Sequence, residues 1–147
     1  MTTTTEARKG KAILEKVGYA LKATTDRKIM IEGHTDDLPL SPDLKKRFGS
    51  NWDLSAKRAT AVVKHLQEKA GLDPRLLSAT GFSMYSPIVR NDSAKNRQLN
   101  RRIEIVLVPL TPQEMQRLYT SGETTAPSPT PAAEEPKPPP AVIRVLP

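Results

Sequence analysis

The alternation of apolar and polar positions divides the first 120 residues into a short series of elements. Ile13, Leu14, Val17 and Leu21 recur at helical spacing, so residues 7 to 24 read as a helix weakened slightly by Gly18. Lys28 to Glu32 is a short β-prone run, with Gly33-His34-Thr35-Asp36-Asp37 at its C-terminal end. Leu38 to Trp52 reads as a long connection broken by Pro39, Pro42 and Gly49, and connections of that length are usually functional or disordered. Asp53 or Ser55 can cap a second helix that runs to Ala70 and stops at Gly71. Asp73-Pro74 opens a turn, and Leu76 to Thr80 reads as a strand closed by Gly81. Phe82 to Asn100 is irregular, with one helical turn near Ser93 to Leu99. Arg102 to Val108 is the clearest strand, its Ile103, Ile105 and Leu107 alternating along one face. Thr111 and Pro112 open a short closing helix to Tyr119.

Beyond Tyr119 the pattern changes. Eight of the fourteen prolines lie after Ala126, among Ala, Thr, Ser and Glu. Such a segment buries too little apolar surface to offset its ordering entropy. The expected organisation is therefore one domain over residues 1–120 and a Pro-rich disordered tail over 121–147. The final Ala141-Val-Ile-Arg-Val-Leu146 is apolar again. It reads as the sticky end of a tail or as a segment that adds to a sheet edge elsewhere.

Charge narrows the partners without choosing one. The chain carries +7. From Tyr119 onward three Glu stand against one Lys and one Arg, a net −1 that leaves +8 for the body. A basic body steers toward anions: nucleic acid, acidic lipid or cell-wall polymer. With no Cys, thiolate zinc sites, disulfides and Cys nucleophiles are excluded. No apolar run reaches the roughly 20 residues of a membrane span, and the first residues lack the pattern of an export signal.

Two places could carry binding chemistry. On a helix advancing about 100° per residue, Arg58 falls between Leu54 and Val62, along the apolar face. A guanidinium there needs a partner. It can be a structural ion pair, an aliphatic stem snorkelling to the rim, or a receptor for a carboxylate, and geometry leaves these open. His34-Thr35-Asp36-Asp37 lies at a strand end, a frequent ligand position in open sheets, but it also suits a tight turn in which Asp bonds the backbone. A metal reading of His34, Asp36 and Asp37 lacks further ligands to complete a set, so no metal or cofactor is expected. No hydroxyl has a matched base, so no enzyme activity is expected either. Asn96-Arg97 and Asn100-Arg101-Arg102 precede the last strand; they can solvate the strand start, contact phosphates or bind a carboxylate, and the absence of interleaved aromatics argues against a stacking platform for single-stranded nucleic acid.

Four ordered motifs then combine: Ile31-Glu-Gly-His-Thr-Asp36; Asn51-x-x-Leu-Ser-x-x-Arg58-Ala-x-x-Val62; Asp73-Pro-x-x-Leu-Ser-x-x-Gly81; and Asn96-Arg-x-x-Asn-Arg-Arg-Ile-Glu104. Together they resemble the OmpA-like peptidoglycan-binding domain over residues 8 to 110, and the run Ser50 to Ser55 is most similar to its MotB-like branch. The resemblance implies an α+β fold in βαβαββ order, a mixed sheet with two main helices on one face. It implies binding of the meso-diaminopimelate of the peptidoglycan stem peptide. Asp36 would take the ammonium and Arg58 the carboxylate, supported by Thr35, Asn51, Arg101 and Arg102. It further implies a periplasmic or envelope location, an anchoring role in a stator-like or other envelope protein, and compatibility with a homodimer. The family fold opens with a strand, whereas Met1 begins almost at the first helix. The expectation is therefore a fragment or truncated product that has lost its first strand and a membrane anchor. The alternative is a basic cytoplasmic module that binds nucleic acid, favoured by the +8 body and by the first residues.

Overall fold

The computed structural model describes residues 3–120 and 139–145. In chain order these form α1 (Thr3–Leu21), β1 (Arg27–His34), α2 (Pro42–Phe48), α3 (Asn51–Glu68), a 3-10 turn (Pro74–Leu76), β2 (Leu77–Gly81), α4 (Ala94–Asn100), β3 (Arg102–Pro109), α5 (Pro112–Tyr119) and β4 (Ala141–Val145). The strands make one mixed sheet in the order β2-β1-β3-β4. β1 runs parallel to β2 and antiparallel to β3, and β4 is antiparallel to β3.

Strand alternation sets the two faces of the sheet. Ile29 and Ile31 of β1 lie opposite Leu107 and Ile105 of β3 and meet Ala59, Val62 and Leu66 of α3 and Leu21 of α1 in one core. Leu14 and Val17 bring the rest of α1 onto the same core. This is the expected α+β fold with its two main helices on one face. Among the described residues no helix is long and apolar enough to cross a membrane.

Three local expectations change. The connection after Leu38 contains α2. Ser41 caps it by accepting from the Leu44 amide, and Pro42 stands at its start, where a missing N–H costs nothing. Gly49 ends it at φ +97°, a left-handed conformation that favours glycine. α3 starts earlier than Asp53 or Ser55 because Ser50 and Asp53 close a reciprocal capping box. The tail expected to be disordered contains β4, so at residues 141–145 that expectation is corrected: backbone pairing to β3 and burial of Ile143 and Val145 against the core hold the segment. Residues 121–138 of the expected tail lie outside the described residues.

The contact that fixes α3 is backbone on backbone. A Cβ added to Gly33 at the end of β1 would stand 2.1 Å from the Ser55 carbonyl oxygen, and one added to Gly81 would stand 2.6 Å from the Ala56 nitrogen. Only glycine lets the helix approach that closely. The wholly buried Ser55 hydroxyl donates to the Trp52 carbonyl and accepts from the Ser83 amide, tying α3 to the loop after β2. Arg58 follows one turn later and inherits this fixed position.

Candidate functional site

A cleft of about 1160 Å³ opens where α1, α3, α4 and the sheet edge meet. Lys9, Ile13 and Leu14 form its α1 wall, Arg58 and Val62 its α3 wall, and Lys95 and Gln98 its α4 wall, with Arg101, Ile103 and Val145 alongside. The lining mixes apolar side chains with the cations Lys9, Arg58, Lys95, Arg101 and Arg102.

Among the described residues Arg58 stands without a direct counter-charge: it has no hydrogen bond and no ion pair at contact distance, and the charges that act on it are those of Arg101 and Asp36. The residue as a whole is exposed, so it sits at the edge of the apolar face rather than beneath it. Enough protein nonetheless surrounds its guanidinium to lower its pKa by burial. The neighbouring Arg101 adds to that shift and Asp36 opposes it. The result is a planar set of donors, partly desolvated, on a rigid helix.

Asp36 is buried, at 7% exposure, and both carboxylate oxygens are engaged. Oδ1 accepts from the Leu38 amide at 3.0 Å, and Oδ2 accepts from Arg101 Nη1 at 2.6 Å. Arg101 is 40% exposed on its side chain, so the pair has one fixed and one movable member. Arg97 reaches Asp37 at 3.3 Å on the same rim. Asp36, Arg58 and Arg101 therefore converge.

The other candidates are placed differently. Thr35 is buried, and its hydroxyl donates to the Asp36 carbonyl while its amide donates to the Ser83 carbonyl. Asn51 begins α3 and donates from Nδ2 to the Leu38 carbonyl at 3.1 Å, fixing the chain that follows Asp36. Arg102 is buried with all three nitrogens in use: Nε donates to Glu104 at 2.6 Å, Nη1 to the Asn100 carbonyl and Nη2 to the Ser86 carbonyl. Its guanidinium holds the fold, and the residue also lines the cleft.

His34 belongs to that second network. It stacks on Phe82 with ring centroids 5.1 Å apart and lies 3.8 Å from Glu32. Burial, helped by the Arg102 charge and opposed by Glu104, lowers its pKa to about 4, so it is neutral near pH 7. Burial and the charge of Glu104 raise the pKa of Glu32. For Glu104 burial works against ionisation, but hydrogen bonds from Arg102 and Arg144 outweigh it and keep the pKa low. Glu32, His34 and Glu104 lie within metal-binding reach of one another, but the two guanidiniums on Glu104 already neutralise the cluster.

Sequence reasoning missed Lys9, Lys95 and Gln98, which only tertiary packing brings to the cleft. It quoted Asn100 within a motif without assigning it a role. That wholly buried side chain accepts from the Ile88 and Val89 amides and donates to the Val89 carbonyl and to Asn91, so it organises the loop before α4.

The sequence model of the OmpA family matches residues 3–101. Motility protein B of Bacillus subtilis is 35% identical over 97 residues, which are 66% of this chain and 36% of that protein. The peptidoglycan-binding protein ArfA of Mycobacterium tuberculosis is 34% identical over 95 residues, 65% of this chain and 27% of that protein. The chain thus spans about a third of the length of these curated relatives. The crystal structure of the C-terminal domain of Helicobacter pylori MotB superposes with a TM-score of 0.61 at 32% identity, covering 75% of this chain and 80% of that one. The chain belongs to the OmpA family, on its MotB-like branch.

Proposed function

We propose that this chain binds peptidoglycan without altering it chemically, and that the cleft takes the meso-diaminopimelate of the stem peptide. The observation that carries this reading is Arg58: a partly desolvated guanidinium with no hydrogen-bond partner among the described residues, opening on a cleft beside the Asp36–Arg101 pair. An amino-acid head group presents one carboxylate and one ammonium. Arg58 takes the carboxylate by paired hydrogen bonds. Asp36 takes the ammonium as Arg101 swings from its oxygen toward the ligand's anionic side. Thr35 and Asn51 hold the Asp36 turn in place, and Arg102 holds the start of β3. A cleft of about 1160 Å³ is large enough for a stretch of peptide rather than one residue alone.

Two relatives support the reading: one carries peptidoglycan binding in its name, and another is a motility protein. The role that follows is a non-enzymatic anchor in the periplasm, fixing an envelope or stator-like protein to the wall.

The test is co-sedimentation with purified sacculi. Arg58→Ala and Asp36→Ala should each weaken binding roughly tenfold or more, since a charge-assisted hydrogen bond contributes about 1.5–3 kcal/mol. Free meso-diaminopimelate should compete. Unchanged binding by the double variant sinks the site. Binding that ignores the competitor but falls steeply with salt would instead mark a phosphate polymer as the ligand.

A further inference from the structure

We infer that the edge of β3 away from β1 is a strand-acceptor site and that Ala141–Val145 is its tethered, exchangeable occupant, in the place that a right-handed crossover through α1 assigns to a strand feeding β1. The argument begins with handedness. α1 and α3 both pack on the Ile29/Ile31 face of the sheet. Parallel crossovers are almost always right-handed. The β1–α3–β2 crossover steps from β1 to β2 over that face. A strand feeding α1 and then β1 with the same hand, over the same face, must lie on the other side of β1. β3 already holds the adjacent position there, so the place for such a strand is beyond β3, running parallel to β1. β4 occupies that position. It also has that direction, because it is antiparallel to β3, which is antiparallel to β1.

The side chains fit the place as well as the backbone does. Ile143 lies opposite Ile105 and Val145 opposite Ile103, and both extend the core. Arg144 lies opposite Glu104 on the other face, with Nε 3.1 Å from Oε1. Val142, on that same face, is 47% exposed. One register therefore satisfies an apolar face, an ion pair and an otherwise open edge, which would invite pairing with other chains. Twenty-one residues separate α5 from β4, a span that lets the strand arrive from its own chain or from a second copy. Tethering raises its effective concentration at the edge and makes the intramolecular arrangement the default. Val145 also lines the cleft, so the position of the strand shapes one wall of that site.

The test uses the full chain with a protease site inserted between residues 121 and 138, followed by cleavage and native size-exclusion chromatography. The C-terminal fragment should stay with the body and should exchange for an excess of a labelled peptide of residues 139–147. Ile143→Asp should release the fragment on cleavage, and Val142→Asp should leave it bound. A fragment that separates from the unsubstituted body overturns the inference, as does equal release by the two variants. Neither readout involves peptidoglycan, so failure here is distinct from failure of the binding reading.

Discussion

Replacing Gly33 with Ala tests whether the cleft is positioned by backbone contact between α3 and the sheet. The added Cβ would meet the Ser55 oxygen at 2.1 Å, its carbonyl carbon at 2.9 Å and its Cα at 3.3 Å. Ordinary contact needs roughly 1 Å more. All three atoms are backbone, so no rotamer change relieves the clash, and α3 or the end of β1 must move. Overpacking of a core costs about 1–3 kcal/mol, and a clash with no flexible partner belongs at the upper end. At about 4 °C or more per kcal/mol for a domain of this size, the melting temperature should fall by roughly 10 °C. Gly10→Ala is the control. Nothing lies within 4 Å of its added Cβ, and the residue is inside α1, so stability should stay level or rise by up to about 1 kcal/mol. Thermal and urea unfolding followed by circular dichroism reads both variants. A Gly33→Ala protein within about 0.5 kcal/mol of the parent would refute the close-approach argument, because surface-like changes stay in that range. Sacculus binding should also fall in this variant although no charged group has changed, since α3 carries Arg58.

Two further predictions concern the charged groups. The His34 pKa lies near 4 in the folded chain against an ordinary 6.5, so as pH falls through this window the unfolded chain takes up the proton first and stability drops, by on the order of 3 kcal/mol at most. The raised pKa of Glu32 acts in the opposite sense, because there the folded chain takes up the proton first. Urea unfolding at pH 7 and pH 4.5 should show the loss, and His34→Phe, which keeps the stack on Phe82, should reduce it; identical pH slopes would remove His34 as the cause. Neighbouring arginines should behave in opposite ways: Arg101→Ala, from a pair whose arginine is 40% exposed, should cost about 1 kcal/mol or less, whereas Arg102→Ala leaves Glu104 short of its buried partner and should cost about 3–5 kcal/mol. Equal losses in the two would show that the guanidiniums had been assigned to the wrong roles.

Much of the fold was legible because local pattern and tertiary packing agree. The alternation at Ile103, Ile105 and Leu107 reports the core face of β3 directly, and Thr111-Pro112 marks the start of α5, where Thr111 and Glu114 close a capping box. Pro42 reads as a breaker in sequence, but proline behind a capping Ser41 is an equally good helix start, and α2 begins there. β4 was visible as an apolar run, but nothing local says which edge it joins. The site divides in the same way. The motif residues Asp36, Arg58 and Arg101 converge, yet Arg101 and Arg102 looked equivalent in sequence. They stand at the junction of α4 and β3, where successive residues take different directions: one closes on Asp36, and the other turns under the loop toward Glu104.

The charges around the cleft bear on what it can select. Lys9, Arg58, Lys95 and Arg101 line it, and Asp36 is the carboxylate joined to it through Arg101. A field with that excess of positive charge favours a ligand that carries more carboxylate than ammonium. On the proposed reading, an isolated zwitterion would satisfy Asp36 and Arg58 but leave the lysines with water. A peptide that brings a further carboxylate would, on the same reading, meet the wider rim as well. The proposed binding would also give Arg101 two states. With its Nη1 on Asp36 it shields a buried carboxylate; in the proposed complex an ammonium would take that place and release the guanidinium toward the ligand's anionic side. The exchange requires a mobile Arg101 beside an immobile Asp36 and an immobile helix under Arg58. The partial exposure of Arg101, the Leu38 amide on Asp36 and the glycine contacts beneath α3 supply those three conditions.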